Sequence, residues 1–131
     1  VSITCCYIKE QYFKEHSSFV KMLDPGNTAK QSHRSYLCLK ITNDGNDYYL
    51  PLRNNLGADV RPYGRIGHSV PSASRSDAGL DYRYALIVND SKYIEIPTTQ
   101  KIPNRQWNKI TADYNNIISE FTVYLSGLKE R

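Results

Sequence analysis

A chain of 131 residues is the size of one domain and can bury a core without disulfide or metal staples. Its 40% apolar content, which includes eleven tyrosines, argues against disorder, and no run of apolar residues is long enough to span a membrane. Seventeen basic residues against thirteen acidic give a net charge of +4, too mild to define a partner, so the position of the charges has to carry that argument.

Cys5, Cys6 and Cys38 are odd in number, Cys5 and Cys6 adjoin, and no C-x-x-C spacing occurs. The expectation is reduced thiols in a cytoplasmic protein, not a disulfide framework. His16, His33 and His68 are scattered, so neither a structural metal nor a cofactor is expected. No charged-then-apolar leader opens the chain, which speaks against a secretory signal.

In chain order, residues 2–7 (SITCCY) are β-branched and aromatic enough for an opening strand. Residues 8–23 bring Ile8, Tyr12, Phe19, Val20 and Leu23 near one helical face, and Asp24, Pro25, Gly26 and Asn27 end that helix with turn chemistry. A polar segment with Lys30, His33 and Arg34 leads to a buried strand at 36–42 (YLCLKIT). Asn43, Asp44, Gly45 and Asn46 form a hairpin signal, and 47–52 (DYYLPL) returns as the partner strand. Pro51 has no N–H to give a ladder, so this strand should end there or lie at an edge. Residues 84–88 (YALIV) suit a core strand, and 92–96 (KYIEI) a second strand paired with it. From Asn104 onward Trp107, Ile110, Tyr114, Ile117, Phe121, Tyr124 and Leu128 recur at helical steps, predicting one long amphipathic helix with Glu120, Lys129 and Arg131 facing away. The predicted class is α+β: one domain over 1–131, a small, mostly antiparallel sheet or barrel with an N-terminal and a long C-terminal helix.

Between the two strand groups lies a stretch of another character. From residue 53 to 83 the apolar periodicity nearly vanishes, while Arg53, Arg61, Arg65, Arg75 and Arg83 sit among Asn, Ser, Gly and His68. Compact domains rarely keep an unstructured loop beyond about 12–15 residues unless it has a function. Arginine in place of lysine favours planar, two-point contact with phosphate. Tyr48, Tyr49, Tyr63 and Tyr82 interleave with these arginines, as in proteins that stack unpaired RNA bases on aromatic rings, although strand alternation should bury about half of them.

The string YYLPLRNN closing a hairpin, then GLDYRYALIV, then KYIEI, and a final helix containing WNKI and FTVYL resemble the TenpN toxins. These belong to type III toxin–antitoxin systems and are relatives of ToxN, AbiQ and CptN. The resemblance covers residues 36 to 128. It implies a metal-independent endoribonuclease with a fold similar to Kid, PemK and MazF, cutting RNA to a cyclic phosphate and a 5′-hydroxyl. It also implies an inhibitory small RNA of repeated pseudoknots that the toxin processes, a closed toxin–RNA assembly, cellular or phage RNA as substrate, and defence against phage from the bacterial cytoplasm. ToxN-like members carry small hydroxyl residues after Pro-Leu, followed by a lysine; here Arg53, Asn54 and Asn55 follow, and the arginine resembles the TenpN branch. The Lys-His pair found in related loops is replaced by Leu56, Gly57 and Ala58, and Arg83 and Tyr84 stand where a lysine is expected after G-L-D-Y.

Cleavage through the substrate's own 2′-hydroxyl needs a base, an acid and positive charge on the phosphorane, but no protein nucleophile. Arg53 is the expected phosphate clamp, with Asn54 or Asn55 donating to the same oxygens. His68 is the expected acid or base, because an imidazole titrates near neutrality. His33, Arg34, Arg61, Arg65, Ser69, Arg75, Tyr82 and Arg83 are expected to line the RNA path. Two other classes fit the same residues: an RNA-binding module that does not cut, and a toxin of this shape that blocks a protein target.

Overall fold

The computed structural model describes residues 4–15, 34–40, 45–57, 66–97 and 102–129. They fall into two compact units, Val1–Pro51 with Tyr84–Lys101, and Leu52–Arg83 with Ile102–Arg131. The chain passes between them three times, so neither is a contiguous piece and no linker composition announces a boundary.

The first unit holds β1 (Thr4–Ile8), α1 (Glu10–Glu15), β2 (Tyr36–Lys40), most of β3 (Asp47–Arg53), β6 (Leu86–Ile87) and β7 (Ile94–Glu95). The expected hairpin is present: β2 and β3 pair antiparallel from Lys40↔Asp47 to Tyr36↔Pro51. The expectation that this strand ends at Pro51 or lies at an edge is corrected: only the ladder with β2 stops there, and β3 runs on to Arg53 as an interior strand that pairs with β5. Gly45 lies at φ +72, the left-handed region that the turn signal anticipated. Of the expected helix over 8–23, α1 is seen, and residues 16–23 lie outside the described ones.

The strands expected at 84–88 and 92–96 do not pair with each other. β6 adds to β3 (Tyr48↔Ile87, Tyr49↔Leu86), and β7 adds to β1 (Tyr7↔Glu95, Ile8↔Ile94). The cause is local. A 3₁₀ turn over Ser91–Tyr93, capped by the Asp90 side chain on the Lys92 N–H at 3.0 Å, redirects the chain, and the Lys9 N–H closes on the Tyr93 carbonyl at 2.7 Å. Cys6, Ile8, Tyr12, Phe13, Tyr36, Tyr49, Leu86, Val88 and Tyr93 form this unit's core. Tyr12 meets both Phe13 and Tyr93 edge-on at 5.4 Å.

The second unit corrects the expectation of a structureless stretch. It contains β4 (Gly67–Ser69) and β5 (Gly79–Asp81), a hairpin that pairs onward with the end of β3. Strands of three residues are too short to display an alternation, which is why the sequence reads as loop. Ser72 and Arg75 close the hairpin tip: the Ser72 N–H donates to the Arg75 carbonyl and the Arg75 N–H to the Ser72 hydroxyl, both at 3.0 Å.

The long C-terminal helix is two helices, α2 (Asn104–Ala112) and α3 (Tyr114–Lys129), joined at Asp113. No proline causes the break. Asp113, a poor helix-interior residue, leaves helical geometry at φ −97, ψ 7 while its side chain is held by partners described below. The apolar stripe is core as expected, with Ile110, Ile117 and Phe121 fully buried and the Tyr82 ring 5.5 Å from Phe121. The buried Gln106 amide donates to the Val70 carbonyl at 2.9 Å and so fastens α2 to the residue after β4.

Every strand pairing is antiparallel, along the path β4–β5–β3–β2–β1–β7 with β6 added on β3. The class is therefore α+β, but among the described residues the end strands do not meet, so the sheet is not closed into a barrel. No described helix is long and apolar enough to cross a membrane.

Candidate functional site

The register of the second unit separates the two residues that the sequence places in one catalytic site. Arg53 pairs with Gly79, and Gly79 with Ser69; Leu52 pairs with Leu80, and Leu80 with His68. Side chains alternate between faces along a strand, and cross-strand partners share a face. Arg53, Gly79, Ser69, Gly67 and Asp81 therefore occupy one face, and His68, Leu80 and Leu52 the other.

On the first face two guanidinium groups converge on one carboxylate. Asp81 is fully buried. Its Oδ2 accepts from Arg53 Nη1 at 2.8 Å and Arg83 Nη2 at 2.9 Å, and its Oδ1 from Arg83 Nε and the Arg83 backbone N–H, both at 3.0 Å. Arg83 thus grips the carboxylate side-on with two nitrogens, the strong geometry for this pair, and its Nη2 also reaches the Leu56 carbonyl at 3.4 Å. The arginine side chains remain 29% (Arg53) and 22% (Arg83) exposed while the carboxylate has no exposure. Leu56 lies over the glycines: a Cβ at Gly79 would stand 2.5 Å from Leu56 Cδ1 and 2.3 Å from the His68 carbonyl oxygen, and one at Gly67 would stand 2.6 Å from the Leu80 carbonyl oxygen. Only glycine fits at either place. Asn54 and Asn55, both exposed, continue from Arg53, and the Asn55 Oδ1 accepts from the Gly57 N–H at 2.8 Å.

On the second face His68 is 6% exposed beneath the helices. Nδ1 lies 3.0 Å from Glu120 Oε1, and Nε2 lies 2.8 Å from Asp113 Oδ2. The same Oε1 accepts from the Tyr82 hydroxyl at 2.8 Å, and the same Oδ2 from Lys109 Nζ at 2.5 Å. Each ring nitrogen is thus within hydrogen-bond distance of a carboxylate oxygen. The hydrogen bonds from Lys109 first and His68 second hold the Asp113 carboxyl below its ordinary range. This chain of contacts pins α2 and α3 to the sheet.

Several expectations are corrected here. Glu120 does not face away; it bridges His68 and Tyr82. His68 lies in a strand and not in a solvated loop. Tyr82 is 1% exposed, with its hydroxyl and ring both engaged inside the fold, so its face is not open to an RNA base; Tyr48 and Tyr49 are buried as well. Ser69 and Arg75 are exposed, and Arg34 is half-buried in the other unit. His33, Arg61, Tyr63 and Arg65 lie outside the described residues. The sequence reading gives Asp113 no role and turns Glu120 outward, although a spacing of seven puts them on one helical face. By 100° per residue both flank the apolar stripe at roughly 60–80° from its centre. Among the described residues no group of three His, Cys, Asp or Glu is placed to hold a metal ion. No protein-family model, curated protein or solved structure matches the chain.

Proposed function

We propose that this chain binds RNA on its Arg53 face and cleaves it through the RNA's own 2′-hydroxyl, as the toxin of a type III toxin–antitoxin system. The observation that carries the reading is the pair of partly exposed guanidiniums, Arg53 and Arg83, on one buried carboxylate, beside Asn54 and Asn55. It adds to the resemblance of residues 36–128 to the TenpN toxins. In the reaction the 2′ oxygen attacks phosphorus and gives up its proton, and the bond to the 5′ oxygen breaks as that oxygen gains one. Arg53 neutralises the phosphorane, where charge accumulates, and the asparagine amides donate to the same oxygens.

On this reading His68 stays out of the chemistry, since it lies on the face away from Arg53 with both ring nitrogens on carboxylates. Held as it is, the protons are exchanged with solvent, and the reaction forgoes the roughly 10²–10⁴-fold that a positioned acid or base supplies. That same observation favours a second reading, an RNA-binding module that does not cut. On the first reading the partners are a repeated pseudoknot RNA that the toxin trims and that holds it in a closed assembly, with cellular or phage RNA as the target, in the bacterial cytoplasm. Antiparallel pairing throughout supports a fold of the Kid, PemK and MazF kind, which would have to accommodate an open strand path here.

Incubating the purified chain with total RNA and a chelator tests the proposal. Fragments with cyclic-phosphate ends that disappear with Arg53→Ala support cleavage. Binding without fragments supports the second reading, and no affinity for RNA removes both, leaving a toxin that acts on a protein.

A further inference from the structure

We infer that Trp107, near the start of α2, is a stacking platform for an unpaired base of the RNA, with Asn104 and Asn108 beside it to meet the base edge. The inference rests on the RNA-binding reading above and adds a second point of contact to it. Trp107 heads the apolar stripe of the C-terminal helices, yet it is only half-buried where Ile110 is fully buried. The helical turn of about 100° per residue explains the difference. Gln106 and Ile110, both buried, lie to one side of Trp107, and Asn104, Asn108 and Thr111, all exposed, lie to the other. The tryptophan therefore stands at the rim of the buried face.

A large aromatic ring left partly in water is unfavourable, and tryptophan is highly buried on average. Among the described residues Trp107 has neither a ring partner nor a hydrogen bond for its indole N–H. Its surroundings choose the occupant. α2 (NRQWNKITA) has two basic residues, Arg105 and Lys109, and no acidic one. Lys109 is committed to Asp113, and Arg105 is exposed. The exposed neighbours of the ring carry no charge, and the carboxamides of Asn104 and Asn108 each offer donors and an acceptor, which base edges can match. A nucleotide meets both features at once, with a flat base for the ring and a phosphate for the positive helix.

Trp107 is the chain's only tryptophan, so its emission, excited apart from the eleven tyrosines, reports on this one place. The parent chain is titrated with a short, mixed-sequence single-stranded RNA and, in parallel, with an abasic strand of the same length. Anisotropy of a labelled copy of each strand gives the affinity. Stacking predicts quenching that saturates together with RNA binding and is absent with the abasic strand. Trp107→Phe keeps a ring and should bind within a few-fold of the parent. Trp107→Leu keeps apolar bulk without the ring and should bind about tenfold more weakly, the scale of one lost stack. The slope of log affinity against log salt should be the same for parent and variants, because a stack neutralises no phosphate. Equal affinities for the two variants overturn the inference, as does quenching by the abasic strand as strong as by RNA. RNA binding by the parent with its emission unmoved also overturns it, and leaves the arginine face as the RNA surface. Emission that shifts with protein concentration in the absence of RNA places a second copy of the chain on this face and overturns it too. If the parent binds no RNA, the RNA reading itself fails and takes this inference with it.

Discussion

Replacing His68 with alanine asks whether the imidazole belongs to the fold or to the chemistry. The ring makes contacts of 3.0 and 2.8 Å to two carboxylates, and a hydrogen bond to a charged group contributes about 1.5–3 kcal/mol. Both carboxylates keep a second donor, Tyr82 for Glu120 and Lys109 for Asp113. Both are also about one-fifth exposed (20% and 19%), so water partly replaces the ring and each contact counts near the low end of that range. Removing a ring that is 6% exposed also leaves a void in the packing. The expected loss is about 2–4 kcal/mol, or a fall in Tm of roughly 6–15 °C for a chain of this size. Thermal and urea unfolding measure it. At a temperature where the variant is folded, RNA binding and any cleavage should stay within a few-fold of the parent, because the register places His68 on the face away from Arg53. A stability change under about 1 kcal/mol together with a 10²–10⁴-fold loss of turnover would refute the reasoning and return the imidazole to the reaction.

Further outcomes follow from the same geometry. Gly79→Ala should cost about 2 kcal/mol or more, since its Cβ would meet the His68 carbonyl oxygen at 2.3 Å and backbone cannot give way as a side chain can. Gly45→Ala, strained by φ +72 but with nothing within 4 Å, should cost only about 1 kcal/mol; equal urea midpoints for the two would contradict the packing of Leu56 on β4 and β5. Asp113 has its folded pKa lowered, chiefly by Lys109, so its contribution to stability is present above the unfolded carboxylate value and is lost as pH falls through the folded one. Lys109→Met should therefore move acid unfolding, followed by circular dichroism, to higher pH, and an unmoved transition would show that the contact is of no consequence. RNA affinity should fall steeply and linearly on a log–log plot against salt, because neutralised phosphates release counterions. A flat response would exclude the arginine face as the RNA surface.

What was legible in the sequence was whatever repeats or is chemically unambiguous. The hairpin of β2 and β3 showed in two apolar runs around a Gly45 turn, and the core stripe from Ile110 to Phe121 in its helical spacing. The arginines of the 53–83 stretch showed by residue type alone, and Arg53 and Arg83 do meet. Their meeting point did not show, because Asp81 reads as an ordinary turn acid until burial makes it the shared partner. Nor did the carboxylates around His68, since a helical spacing of seven says which residues share a face but not what that face meets. The deciding fact was parity. A strand of three residues has too little repetition to declare which side chains point which way, and a shift of one residue in pairing reverses them all. Whether Arg53 and His68 act together is thus a property of the register between β3, β5 and β4, set by long-range pairing and by two glycines that admit Leu56. The residue types came from the chain, and the tertiary structure alone put them on opposite sides of a sheet.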